Sequence, residues 1–529
     1  MKNNEEIFNL AKQLHLSGKI EESQKLYLQL TESYKNNDKL FFLLGTTFLQ
    51  MKKYEDAIHY LNISIKLNPK FSDSYNNKGI ALAETEKYLE ALKNYNKAIK
   101  LKENYVDAYL NKGISLNKLK RYEEAINITE LVIKLQPLNA KAYNNLGNIL
   151  KNIKKYNDAV RAYDKAIKIN PNYLEALNNL ADTLHTFKKY DKALIYLNKI
   201  FNKKPEFDGL LTKIISNKMH IYDWENYDEI INLIKDKILK NKTILDPLFL
   251  NYLTDDPNLI KINSEAWVIK NLINPQKIEK INYENTLLKK LKKIKNENKK
   301  IKVGYFSAEF HHHVVLHIMT NIFKHHNLSK FEIYGFSHGK IKDDDLRKKI
   351  KPYFKKFFII NDMSDTKVVK LTRDMEIDMA INLTGLTNNE RSGIFLKRVA
   401  PIQINYLGYP GTTAIKSMDY IIADKTIIPE KEKKYYTEKV KYMPECYISE
   451  PNDLLLKFTK NFSRSDFDLP ENNIIFCAIH NPLKITPEIF DVWTRILKKV
   501  KGSVLWVNFI DEYSKKNLLA ELKKKKSYT

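Results

Sequence analysis

The sequence predicts an α-helical solenoid followed by an α/β region. Two observations carry this prediction. A 34-residue period runs through roughly the first two fifths of the chain, kept by Gly45, Gly79, Gly113 and Gly147 and by Tyr54, Tyr88, Tyr122, Tyr156 and Tyr190. From Ile301 onward, short β-branched and aromatic runs alternate with amphipathic stretches. That alternation is the pattern of strands and helices in a largely parallel sheet.

A self-similarity of this length is the signature of stacked helical hairpins. Ala57, Ala91, Ala125, Ala159 and Ala193 keep the same phase. Pro69, Pro137, Pro171 and Pro205 close the units, with Glu103 in place of one proline. The small residues should let the two helices of a hairpin approach closely. The tyrosines should fill the gap between hairpins, and proline ends a helix because it cannot continue one. Ala11 and Ser23 extend the phase one unit earlier, and Ala181 replaces the glycine in the last unit. About six hairpins are therefore expected between Asn4 and Asp208, a domain of residues 1–208. Solenoids of this kind bind other chains.

One column in the repeats points to that binding. Asn77, Asn111, Asn145 and Asn179 stand two residues before the glycine or alanine. On the first helix of each hairpin this position should face the concave groove. Paired amide donors and acceptors there can clamp the backbone of an extended peptide. The plainer alternative is that asparagine is common throughout this chain.

The net charge of +26 invites a nucleic-acid reading, but its composition argues against it. Only 8 of the 89 basic residues are Arg. Lys, Asn and Ile are abundant everywhere, which reads as the imprint of an AT-rich coding sequence. Nucleic-acid surfaces cluster charge on one face and use Arg for bidentate contacts. No apolar run is long enough to span a bilayer, and the polar, helical start has no signal-peptide core. A cytoplasmic location without membrane partners is expected. Cys446 and Cys477 are too few for a disulfide framework.

Residues 209–300 lose the period but still read as helices, as in YDEIINLIKDKIL. They should form a connector that ends in the Lys/Glu/Asn run at 287–300. The expected strands are then IKVGYFS, FEIYGFS, FFII, MAINLTG, IQINYLG and YIIAD in a domain of residues 301–460. IIFCAI and SVLWVNF, with the helix TPEIFDVWTRILKKV between them, begin a second α/β domain over residues 461–529.

In open α/β sheets, ligands bind at loops beyond the carboxyl ends of strands. Four loops qualify. AEFHHHVVLH carries His311, His312, His313 and His317. These lack a carboxylate or Cys partner at ligand spacing, so one histidine acting as substrate contact or base is preferred over a metal site. LTGLTNNER offers Gly385 for close backbone approach and the Thr387 hydroxyl. LGYPGTT offers Gly408, Gly411 and Thr412. HNPLKITPE places Lys484 just before a helix start capped by Thr486 and Pro487. A lysine beside a positive helix terminus suits a phosphate.

These segments together resemble a known family. The repeat pattern resembles the tetratricopeptide repeat. Residues 301–510 resemble the catalytic region of O-linked N-acetylglucosamine transferases, including the bacterial and SPINDLY-type members. The runs that carry the resemblance are APIQINYLGYPGTTAIKSMDYIIAD, YTEKVKYMP and VGYFSAEFHHH, with Asp223-Trp224 and LTDDP in the connector. The resemblance implies two Rossmann-like lobes in the GT-B arrangement, the second one incomplete in this chain. It implies metal-independent, inverting transfer of N-acetylglucosamine from UDP-GlcNAc to Ser or Thr hydroxyls of proteins bound by the repeats. By motif match, His313 is implied at the sugar site and as the available proton acceptor. Gly385 is implied near the donor sugar, Lys484 on the diphosphate and Asn481 near the nucleotide, where the family usually has glutamine. Thr387, Gly411 and Thr412 are further substrate-contact candidates. The alternative is a non-catalytic tetratricopeptide scaffold with a vestigial transferase domain.

Overall fold

The computed structural model describes residues 3–207, 209–272, 299–339, 344–449 and 462–526. Most of the Lys/Glu/Asn run at 287–300, the expected array end at Asp208 and the expected lobe boundary near 460 lie outside the described residues. The chain divides into two compact units, Met1–Leu210 and Leu211–Thr529.

The first unit is six antiparallel hairpins, α1 (Asn4–Leu16) through α12 (Tyr190–Lys203), joined by short turns. The in-phase glycines explain the close approach within a hairpin. A Cβ on Gly147 would stand 2.5 Å from the Tyr163 ring, and one on Gly45 would stand 2.7 Å from Leu61. Both partners lie on the second helix of the same hairpin. The in-phase alanines Ala57, Ala91, Ala125, Ala159 and Ala193 are fully buried. Pro171 sits in the turn after α10 (Tyr156–Ile169). A further in-phase feature is conformational: Gly18, Lys52, Glu86, Lys120, Lys154 and Lys188 all have positive φ where the first helix of each hairpin ends.

The second unit opens with helices α13 (Leu210–His220), α14 (Tyr227–Leu239), α15 (Pro247–Leu250) and α16 (Pro257–Asn271). The DW pair and LTDDP have local jobs here. Asp223 pairs with Lys218 at 2.7 Å, and Trp224 packs on Phe490 with centroids 5.3 Å apart. Asp256 caps α16 by accepting from the Asn258 and Leu259 amides, with Pro257 at the first turn.

Seven strands follow in one parallel sheet of order β3-β2-β1-β4-β5-β6-β7. They are β1 (Ile301–Ser307), β2 (Phe331–Ser337), β3 (Lys356–Ile359), β4 (Met379–Asn382), β5 (Ile402–Tyr406), β6 (Tyr420–Ala423) and β7 (Lys439–Tyr442). Parallel strands are covered on both faces, so they read as continuous apolar runs. Alternate residues feed two cores. Val303, Tyr305 and Ile333 face one core with α17 (Val314–Lys324); Phe306 and Phe336 face the other with α18 (Asp365–Asp374). Phe306, Phe336 and Phe358 stack across three strands at 4.5 and 5.1 Å. Val268 of α16 belongs to that second core. β7 was not anticipated: KVKY is a charged edge strand with little apolar signal.

Residues 462–526 hold a second parallel sheet, with β8 (Ile475–Ala478) and β9 (Val504–Val507) as its two described strands. α19 (Pro487–Lys499) lies between them, and α20 (Glu512–Lys526) follows. The Tyr222 hydroxyl donates to the Asn508 carbonyl at 2.9 Å, and Asn517 donates to the Ile221 carbonyl at 2.8 Å. These bonds tie the connector to this part of the chain.

Candidate functional site

Strand order reverses direction between β1 and β4, since β2 lies on the other side of β1. The crevice beyond the carboxyl ends of such a pair is where open α/β sheets bind ligands. A cavity of about 270 Å³ lies there, lined by Glu309, His311, His313, Thr384, Thr387 and Asn389 among others. Two predicted residues, His313 and Thr387, therefore meet at one cavity.

The local geometry follows from a few hydrogen bonds. The Asn382 side chain at the end of β4 accepts from the amides of Thr384 and Gly385 at 3.1 and 3.2 Å. This turns the chain sharply, with Gly385 at φ +63°. The Thr384 hydroxyl accepts from the Ala308 amide at 2.9 Å and donates to the Glu309 carboxylate at 3.0 Å. The two loops of the crevice are thereby stitched together. Ser307 also donates to Glu309, at 3.2 Å. Burial pushes the Glu309 carboxyl above its ordinary range, against the lowering effect of these hydrogen bonds.

His313 is the N-cap of α17. Its Nδ1 accepts from the Val315 amide at 3.3 Å. Burial, then the neighbouring His311 and His317 rings, holds this imidazole below its ordinary value. His312 and His317 pair with each other at 3.3 Å. Among the described residues no group of three or more His, Cys, Asp or Glu is arranged to hold a metal. The Thr387 hydroxyl donates to the Thr384 carbonyl at 3.0 Å, which shapes the loop rim.

Three predicted contacts have close partners within the protein. Gly385 is buried, and its missing side chain makes room for Tyr409. Gly411 likewise abuts the Tyr409 ring. Thr412 is buried, and its hydroxyl donates to Glu438 at 2.7 Å. Glu438 also accepts from the Thr413 amide at 2.7 Å and from the Thr413 hydroxyl. A buried carboxylate needs such partners, and the LGYPGTT loop supplies them to Glu438.

Sequence reasoning missed Glu309 and Thr384. The available signal was position: both directly follow a strand end, but neither belongs to a motif that spacing alone reveals.

In the second sheet, Asn481 and Lys484 are exposed beside the start of α19. Asn481 accepts from the Leu483 amide at 3.1 Å, and Thr486 caps α19. Neither Asn481 nor Lys484 lines the β1/β4 cavity.

In the repeats, the asparagine column is half-buried and partly committed to packing. Asn77 donates to Thr46, Asn111 to Asn76 and Asn179 to Asn144, each at 3.0 Å and each on the preceding hairpin. Three of the four amide groups thus staple neighbouring hairpins. Asn145 instead lines a cleft of about 220 Å³ with Asn117, Asn148 and Asn152.

Comparison with known proteins bears on this geometry. The glycosyl transferase family 41 model matches residues 221–461 and 452–526. The chain belongs to glycosyl transferase family 41. Tetratricopeptide models match five stretches, residues 38–71, 81–120, 106–137, 140–173 and 162–195. A probable UDP-N-acetylglucosamine–peptide N-acetylglucosaminyltransferase SEC of Arabidopsis thaliana is 32% identical over 213 residues, 40% of this chain and 22% of that protein. The SPINDLY protein of Hordeum vulgare is 32% identical over 213 residues, covering 39% and 22%. The matched part is thus about a fifth of the length of these relatives. A solved mutant of Thermobaculum terrenum O-GlcNAc transferase aligns over 86% of this chain and 72% of that one, at 16% identity and a TM-score of 0.42. The family 41 match covers the connector from residue 221, the seven-stranded sheet with its cavity, and the second sheet. No described helix is long and apolar enough to cross a membrane.

Proposed function

We propose that this chain acts as a protein O-GlcNAc transferase. UDP-N-acetylglucosamine is the donor, and Ser or Thr hydroxyls of proteins held by the repeat groove are the acceptors. One observation carries this reading: the family 41 match covers a cavity at the β1/β4 crossover whose walls include polar and titratable groups. In this reading His313 and Thr387 meet the sugar, Lys484 and the N-terminus of α19 hold the diphosphate, and Asn481 sits near the nucleotide. The asparagine column, with Asn145 the least committed member, engages peptide backbone. No metal is needed, because Lys484 and a helix terminus supply the positive charge that the leaving diphosphate requires. The free Cys446 and Cys477 suit a reducing cytoplasm.

A scaffold reading has one observation in its favour: the second sheet has two described strands, and both are only partly buried. Calorimetric titration of UDP decides between them. Lys484→Ala should weaken UDP binding roughly ten- to a hundred-fold, the loss of one charge-assisted contact. Lys499→Ala, at the far end of α19, should change little. Equal affinity for wild type and Lys484→Ala removes Lys484 from the site. A wild-type chain that binds no UDP selects the scaffold.

A further inference from the structure

Glu309 and His313 lie on one loop and line one cavity, yet their hydrogen bonds give them opposite capacities. The His313 Nδ1 accepts a backbone N–H. A neutral imidazole has one acceptor nitrogen and one donor nitrogen. With Nδ1 accepting, the proton of the neutral ring is on Nε2, and Nε2 can only donate. His313 therefore has no lone pair to offer a hydroxyl proton.

Glu309 does. Its Oε2 accepts from Ser307 and Thr384. Both of these side-chain bonds go to Oε2, and neither goes to Oε1. The Thr384 hydroxyl, which already accepts from the Ala308 amide, must point its own proton at Glu309. Two loops thus hold the carboxylate in one orientation at the cavity wall. Partial burial moves the carboxyl toward the operating pH, where a general base is most effective. The titratable groups that share its cavity are His311 and His313.

We propose that Glu309 is the proton acceptor of the transfer reaction and that His313 is a hydrogen-bond donor to the bound sugar or acceptor hydroxyl. This rests on the transferase reading above. In the step, the acceptor oxygen forms a bond to sugar C1 as the C1–O bond to UDP breaks. The electron pair of that bond leaves on the β-phosphate oxygen, and the hydroxyl proton passes to Oε1 of Glu309.

The first test needs no turnover. Nitrogen-15 chemical shifts of the His313 ring in the full chain at pH 7.5 should report the Nε2–H tautomer. An Nδ1–H tautomer with a bare Nε2 overturns the assignment. The second test is transfer from UDP-GlcNAc to a Ser-containing peptide. Glu309→Gln should lower kcat on the order of 10²–10⁴-fold and abolish the acid limb of its pH profile. KM for the donor and calorimetric UDP affinity should stay within about two-fold of wild type, and Glu309→Asp should recover part of the rate. A Glu309→Gln chain with near wild-type kcat overturns the proposal. Failure of wild type to bind UDP counts against the transferase reading instead, and the ring tautomer still judges the roles of Glu309 and His313.

Discussion

Gly385 and Tyr409 are packed so closely that a Cβ on Gly385 would stand 2.4 Å from the Cβ of Tyr409. Tyr409 is fully enclosed, and its hydroxyl meets Ser264 of α16 at 3.4 Å. The loop after β4, the loop after β5 and the connector therefore share one contact. Gly385→Ala adds a clash to a residue already at φ +63°. The left-handed conformation costs ~1–2 kcal/mol and overpacking a further ~1–3 kcal/mol. Denaturant unfolding should show a loss of roughly 2–5 kcal/mol; a change under about 0.5 kcal/mol would mean the loop relaxes freely.

The in-phase repeat glycines are not equivalent. At Gly147 an added methyl meets the buried Tyr163 ring at 2.5 Å, whereas at Gly113 the nearest atom is the Thr129 hydroxyl at 3.2 Å. Gly147→Ala should cost ~2 kcal/mol, because an enclosed ring has nowhere to go. Gly113→Ala should stay within about 0.5 kcal/mol of wild type, since the gain in helix propensity offsets the tight contact. Hydrogen exchange of the surrounding helices measures both. Equal costs would refute the distinction.

Lys52, Lys120, Lys154 and Lys188 are exposed and left-handed, at φ between 56° and 64°. Each closes a helix in the six-to-one pattern, as where the Lys155 amide donates to the Leu150 carbonyl at 2.9 Å. Glycine is the usual residue there because it has no Cβ penalty. Each Lys→Gly change should raise stability by about 0.5–1 kcal/mol, the left-handed cost less the extra entropy of glycine. Lys155, at φ −81°, is the control and should lose stability as glycine. Melting temperature of the repeat unit reads both.

Both ring nitrogens of His338, after β2, are shielded from solvent. Burial, then the nearby Arg391 guanidinium, pushes its pKa down to about 4. The unfolded imidazole titrates near 6.5. Above pH ~6.5 both states are neutral and His338 costs nothing. Below it the unfolded state takes up the proton first, so stability falls between pH ~6.5 and about 4, by as much as ~3 kcal/mol. Urea midpoints from pH 7 to 4 should fall less steeply in His338→Gln. Parallel slopes for the two proteins would exclude His338 as the source.

Much of the architecture was legible because it rests on local signals. The 34-residue period, the alanine core of each hairpin, and the apolar runs of β1, β2, β4 and β5 are properties of neighbouring residues. Periodicity and turn chemistry express them directly. Lys484 beside a capped helix start was readable for the same reason: Thr486, Pro487 and the following turn are contiguous.

Only tertiary structure could decide what depends on residues far apart in sequence. Glu309 acquires its orientation from Thr384, 75 positions away, and Thr412 gains a buried partner in Glu438, 26 positions away. The asparagine column has the right phase, and three of its four members also donate to the preceding hairpin. His313 has the residue type of a base, yet capping α17 fixes which nitrogen can accept. A side chain's type sets which protons it can give or take. Which of those capacities remains for a ligand is decided by the neighbours that folding brings to it, because a buried polar atom left unpaired costs more than most contacts return.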